Sequence, residues 1–257
     1  MKIKINPKYE EMRSFIERIP DVFEQEGRCI FEGRNVIKAF HVKFDGKEKE
    51  VVVKRYKQPN FIQKIGYSFF RSTKAFRAYE NALRLMAYGF ATPEGFGYIE
   101  TRVKGLIDYC YFISDIDNSM PINDQLNSPE EFNRVMAADY AHFVNRLHQK
   151  GIIDIDLNAG NVLYQLQADG HYTFSLIDIN RMRFYSGYPP MKECVENLTR
   201  FTGRMDVFEC VAREYVKLRG MDEKILQKII GAKKIHDWRW VHRKSILHYF
   251  KRKKLGL

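Results

Sequence analysis

Cysteine is scarce in this chain of 257 residues, with Cys29, Cys110, Cys194 and Cys210 scattered along it and no C-x-x-C pair among them. A zinc knuckle and a dithiol redox motif are thereby excluded, and four buried free thiols in a reducing compartment are the expected state. Long apolar runs are also missing. None reaches the ~18 residues of a membrane-spanning helix, and the N-terminal Met-Lys-Ile-Lys-Ile-Asn-Pro lacks the apolar core of a secretory signal. The expected location is the cytoplasm. Acid is in short supply too: 32 Asp and Glu against 43 Lys and Arg leave a formal charge of +11. That balance favours an anionic partner such as a nucleotide, a phosphorylated glycan or an acidic membrane face. No nucleic-acid-binding motif accompanies the charge, so no nucleic-acid partner is expected.

Among what is present, 45% hydrophobic content supports a substantial core, enough for one large domain or two small lobes. Residues 28 to 57 read as an antiparallel meander of three strands, with Glu32-Gly-Arg-Asn35 and Asp45-Gly46 as its turns and Lys54 closing the third strand. Arg71 to Gly89 reads as a helix, opened by hydroxyl caps and closed by glycine, with an apolar stripe of Phe76, Tyr79, Leu83 and Met86 and Glu80 beside it. A further apolar run, Tyr109 to Ile113, ends at polar Ser114-Asp-Ile-Asp-Asn-Ser119, which marks a boundary. The division expected is an N-terminal lobe over 1–116 and a mainly helical lobe over 117–257. In the second lobe Ser128-Pro-Glu-Glu131 combines a capping box with a helix-starting proline. Phe132, Val135, Met136, Tyr140, Phe143 and Leu147 then follow on one face as far as Gly151. Val162 to Tyr164 and Tyr172 to Ile177 flank Ala168-Asp-Gly170, a hairpin expected to bring Asn161 and Asp178 to the same end of a ribbon.

The chemistry is concentrated in Gly151-Ile-Ile-Asp-Ile-Asp-Leu-Asn-Ala-Gly-Asn161 and in Leu176-Ile-Asp-Ile-Asn-Arg181. Transfer of a phosphoryl group asks little covalent work of a protein; positioning and neutralisation of charge suffice. It needs a base facing the acceptor hydroxyl, and Asp156 is the candidate. Hard oxygen ligands for the metal on the triphosphate are supplied by Asn161 and Asp178. Lys54, on its strand, suits the nucleotide phosphates, and Glu80, on the next helix, suits the task of holding that lysine. Taken singly, each has a structural explanation, as a strand-end lysine, a solvated helix acid or a turn residue. Five of them in this order, on these elements, point to a kinase-type site. Asp154 either braces the loop by hydrogen bonds or stands exposed. Asn158, Asn180 and Arg181 are candidates for contacting substrate or locking their loops.

The histidines carry less. His142 and His148 are six apart, as are His236, His242 and His248, which is not the i, i+4 spacing of a helical zinc pair. Structural or surface roles are expected. The tail from Trp238 to Leu257 mixes large apolar residues with cations. It suits a solvated helix face and an interfacial membrane segment equally.

The order of Lys54, Glu80, Asp156, Asn161 and Asp178 resembles the protein-kinase-like superfamily, and the wording is closer to the lipopolysaccharide core (Kdo/heptose) kinases. The echoes are Glu32-Gly-Arg-Asn35, Val53-Lys-Arg-Tyr-Lys57, Ser72 to Glu80, Ala91-Thr-Pro93, Leu147-His-Gln-Lys-Gly-Ile152, Asp156 to Asn161 and Ile177 to Met182. The resemblance implies an α+β, bilobal protein-kinase-like fold, with a small antiparallel-sheet lobe carrying one main helix. It also implies ATP and Mg2+ as cofactors, and a lipopolysaccharide core or lipid A-linked glycan as acceptor, met at the inner membrane face. Carried over, Lys54 binds the α and β phosphates, Glu80 orients it, Asp156 is the base, and Asn161 and Asp178 ligate Mg2+. Gly33, Arg34 and Asn35 cover the phosphates, and Ser114 and Ile116 are assigned to the nucleotide. The first hairpin has a single glycine rather than G-x-G-x-x-G. Asn158 stands where protein kinases place lysine, Asp154 where they place histidine and Asn180 where they place glycine, and no A-P-E follows Asp178. These departures argue against a regulated protein Ser/Thr kinase. The alternatives are a protein kinase, a small-molecule phosphotransferase and a nucleotide-binding pseudokinase.

Overall fold

A computed structural model describes residues 1–126 and 131–254, with side chains as far as Arg243. The chain forms two compact units: Met1–Asn118 with Ser175–Arg181, and Ser119–Phe174 with Met182–Leu257. The architecture is mixed α and β with an antiparallel sheet.

In the first unit β1 (Lys2–Ile5) is followed by α1 (Arg13–Val22), then β2 (Arg28–Glu32), β3 (Val36–Phe44) and β4 (Lys47–Arg55), the expected meander. Helices α2 (Phe61–Phe69) and α3 (Lys74–Ala87) precede β5 (Gly95–Val103) and β6 (Leu106–Asp115). The six strands lie in the order β1-β5-β6-β4-β3-β2. Alternation along β4 decides what each face does. Val51 and Val53 point into a core that also holds Ile16, Ile19 and Phe23 of the N-terminal segment. Lys54 points to the opposite face, in register with Phe112 of β6, and α3 packs against β5 and β6.

Helix α3 is capped as its sequence predicts: the Thr73 hydroxyl accepts the N–H of Phe76 and donates to Glu100, and Gly89 closes it at φ +78°. Its buried face differs from the expected stripe. Ala75, Ala78, Tyr79, Ala82 and Leu85 go inside while Met86 is exposed, because small alanines let the helix lie close to the sheet and leave the bulkier residues at its margin.

The second unit runs β7 (Met120–Pro121), α4 (Asn123–Leu126), α5 (Arg134–Gln149), β8 (Ile152–Asp154), β9 (Val162–Leu166), β10 (Tyr172–Leu176), β11 (Met182–Phe184), α6 (Met191–Leu198), α7 (Met205–Leu218) and α8 (Glu223–Lys254). Helix α5 packs on α7, and the Tyr140 ring stacks on Phe201 at 3.9 Å between centroids. The expected helix start is displaced. Ser128, Pro129 and Glu130 lie outside the described residues, Glu131 to Asn133 are not helical, and Asn133 caps α5 by accepting the N–H of Met136. Val135, expected on the apolar face, is exposed; Ala137, Ala141 and Val144 are buried instead. All four cysteines are free, but only Cys110 and Cys194 are buried as expected; Cys210 is half-buried, and Cys29 is exposed on β2, whose residues are all exposed. No helix among the described residues is long and apolar enough to cross a membrane.

Candidate active site

In the first unit the site is built on Asp178. Segment 175–181 is tied down from several elements: Leu176 N–H donates to Ala91 O, the Thr92 hydroxyl to Leu176 O and the Asn81 amide to Ile179 O. The Ser175 hydroxyl donates to Asp117. Held at both ends, the chain passes through φ +56° at Asp178, a left-handed conformation that aspartate tolerates better than bulkier residues but that costs about 1 kcal/mol or more. The Asp178 Oδ1 receives the Lys54 ammonium at 2.5 Å and the Asn180 amide at 2.7 Å. Lys54 and Asp178, 124 residues apart, therefore form one charged pair. Glu80 behaves differently from expectation: no ion pair joins it to Lys54 among the described residues, and its charge acts instead on Tyr79 and Tyr98.

Other cations of α3, missed in the sequence reading, gather near this pair. Burial first, then the Arg34 charge, lowers the pKa of Lys74, on which Asp178 and Arg77 also act. Tyr56 is buried beneath them; burial, and then the Asp178 carboxylate, push its hydroxyl well above the ordinary value. Gly33 and Asn35 form the turn between β2 and β3, where Gly33 N–H donates to Asn35 O and the Asn35 side chain accepts Lys57 N–H. Ser114 is buried on β6, its hydroxyl donating to Asp115 O, and Ile116 N–H donates to the Asp115 carboxylate. Arg181 is exposed at the end of the segment.

In the second unit the site is a loop. Gly151 ends the α5 turn at φ +75°, and a Cβ there would stand 2.2 Å from Tyr185 O, so only glycine admits the close approach. Strand β8 pairs with β11, Asp154 opposite Met182. Asp154 is fully buried and its Oδ1 accepts Asp156 N–H at 3.0 Å, which makes it a brace and not an exposed acid. Beyond it, the Asp156 carbonyl accepts two side-chain amides, Asn158 at 2.8 Å and Asn161 at 3.0 Å. Asn158 also accepts Gly160 N–H at 3.0 Å. With both amide N–H contacts turned to one carbonyl, the backbone of Asp156 is fixed from two later positions.

A buried polar chain supports the loop from behind. Arg219 donates to the Tyr215 hydroxyl, Tyr215 and His148 meet at 2.7 Å, His148 Nε2 and Asn197 Oδ1 meet at 3.0 Å, and the Asn197 amide donates to Asp154 O at 2.5 Å. Donors and acceptors all match when Tyr215 donates to Nδ1 and neutral His148 carries its proton on Nε2. Burial, chiefly, brings the His148 pKa down to about 4. His148 has the expected structural role, but Asn197 and Tyr215 were beyond sequence reasoning, since nothing local marks a helix asparagine as the support of a loop 43 residues earlier.

The model described as "Lipopolysaccharide kinase (Kdo/WaaP) family" matches residues 24–229. The chain belongs to this family. It is accordingly a kinase, a phosphotransferase with a sugar hydroxyl as acceptor. A solved structure titled "WaaP in complex with acyl carrier protein" shares the fold, with a TM-score of 0.58 at 17% identity over 91% of this chain and 98% of that one. No curated protein matches the chain.

The residues present suit ATP, which the kinase family uses, and offer donors that a divalent ion could take. Arg77 Nε is buried without a hydrogen-bond partner among the described residues, a donor suited to phosphate oxygen. Lys54, Lys74 and Arg34 add positive charge, while Asp178 offers the hard oxygen a divalent ion needs.

Proposed function

We propose that this lipopolysaccharide kinase moves the terminal phosphoryl group of ATP to a Kdo or heptose hydroxyl of the inner core, with Asp156 as the general base. The observation that carries the reading is the loop in which buried Asp154, Asn158 and Asn161 all fix the backbone of Asp156. Such rigidity is what a positioned base requires, because reach to the acceptor proton decides its efficiency. Lys54 and the α3 cations bind the phosphates, and Asp178 and Asn161 are the oxygen donors for Mg2+. When bound, Mg2+ neutralises charge on the phosphoryl oxygens. On this reading Lys54 exchanges part of its contact with Asp178 for phosphate oxygen. Asp156 accepts the proton of the sugar hydroxyl as the oxygen attacks phosphorus and ADP leaves. The two compact units act as the lobes of a bilobal protein-kinase-like fold, Glu80 contributes negative charge on α3, and the basic tail meets the anionic face of the inner membrane.

The test is a radiolabelled-ATP assay against purified core glycolipid, Kdo-lipid A, free aminoglycosides and a generic protein. Label in the glycolipid arms is expected. Label in protein alone would overturn the choice of acceptor.

A further inference from the structure

Helix α2 buries none of its residues, although it is rich in large apolar ones. Phe61, Ile62, Phe69 and Phe70 are 69%, 80%, 67% and 80% exposed. At about 100° per residue, Phe61, Ile62, Ile65 and Phe69 share an arc of about 100°. The helix is nevertheless firmly built: Asn60 and Gln63 form a complete capping box, Lys64 pairs with Asp108 at 2.6 Å, and Ser68 Oγ accepts Ile107 N–H at 2.9 Å. These anchors lie on the Lys64 and Ser68 side and hold α2 against β6, with the apolar stripe to one side. The Ser68 contact also sets the end of α2 beside the turn joining β5 and β6, where Arg102, Val103 and Lys104 are exposed.

Cations flank the helix in the sequence and stand at its two ends. From Val51 to Tyr79 the sequence has seven Lys and Arg and no Asp or Glu, and Lys57 and Arg71 stand exposed at the two ends of α2. Asp108, the acid anchoring the helix, is already engaged by Lys64 and Gln58, and these partners, against burial, hold its carboxyl below the ordinary value. A stripe of Phe and Ile bordered by cations is the composition of a helix lying in a membrane interface. It carries no hydroxyl or amide to align with a shaped protein partner.

We propose that α2, with Lys57, Arg71 and the β5–β6 turn, is a surface that inserts its apolar stripe into an anionic lipid bilayer. This deepens the membrane part of the reading above and names a face separate from the tail. The test is partition of the full chain onto phosphatidylcholine vesicles with and without phosphatidylglycerol. These vesicles contain no acceptor sugar, so the result is independent of phosphate transfer. The native chain is expected to prefer the anionic vesicles, less so at high salt. The variant Phe61→Ser/Ile62→Ser/Phe69→Ser/Phe70→Ser should lose roughly tenfold or more in partition coefficient, and so should Lys57→Glu/Arg71→Glu. Both should keep the native melting temperature, since the altered side chains are exposed. The tail is unchanged in all three proteins, so the difference reads α2 alone. Absence of native binding, or variants that bind within about twofold of the native chain, would overturn the proposal and leave the kinase reading intact. Should the fourfold variant melt lower, Phe69→Trp in a Trp238→Phe/Trp240→Phe chain decides instead. Quenching by brominated acyl chains supports insertion, and none refutes it.

Discussion

Stability should fall with acid in a way that traces to His148. In the unfolded chain this imidazole takes up a proton near pH 6.5, whereas in the fold it stays neutral down to about 4. Burial first, and then the nearby Arg219 guanidinium, oppose its charge, and together they outweigh the contact with Asn197 Oδ1, which favours it. Between those two values the unfolded state binds more protons, so the stabilisation is complete above about pH 6.5 and is lost as pH falls toward 4. At ~1.36 kcal/mol per pH unit the gap amounts to about 3 kcal/mol, of which about 2 kcal/mol is lost between pH 7 and 5. Exposed His171, its pKa raised by Asp139, works in the opposite sense, gaining stability in acid. It cancels when two proteins sharing it are compared. Urea unfolding of the native chain and of His148→Gln, at pH 7 and at pH 5, provides that comparison. The variant is expected to be less stable at neutral pH, because the buried chain to Asn197 is disturbed. Its loss between pH 7 and 5 should nevertheless be smaller by about 2 kcal/mol. Equal slopes for the two proteins would refute the assignment of this proton uptake to His148.

Gly151→Ala should cost about 3 kcal/mol, since its Cβ meets Tyr185 O at positive φ, and lower the melting temperature by roughly 6 °C or more. Gly89→Ala, at φ +78° with nothing within 4 Å, should cost only about 1 kcal/mol; similar shifts for the two would contradict the steric account. Lys54→Ala should lower kcat/KM for ATP by roughly a hundredfold, and a value within threefold of native would remove Lys54 from the phosphate-binding role.

The parts of the fold legible in sequence were those set by local patterning. The β2–β4 meander, the Thr73 cap and Gly89 stop of α3, and the hairpin of β9 and β10 are specified by neighbours in the chain. What required tertiary context was less visible. Helix α5 starts at Arg134 because Asn133 caps it, where Ser128-Pro129 offered an equally good local signal. The buried face of α3 is alanine-rich because close approach to the sheet outweighs side-chain size. The loop residues Asp154, Asp156, Asn158 and Asn161 were recognisable from spacing, as were Lys54 and Asp178. Their supports, Asn81, Asn197 and Tyr215, were not, since a long-range hydrogen bond leaves no periodic trace. Glu80 shows the converse: its place in the order suggested a partner for Lys54, whereas in the fold Asp178 has that place.

Asp156 carries the central claim, and Asp156→Asn tests it most directly because the amide keeps the shape of the side chain and removes its basicity. Initial rates of label transfer from ATP to Kdo-lipid A and core glycolipid should be measured beside the dissociation constant for ATP. The account predicts turnover lower by about two orders of magnitude or more, with ATP affinity nearly unchanged. Native turnover in Asp156→Asn would contradict it.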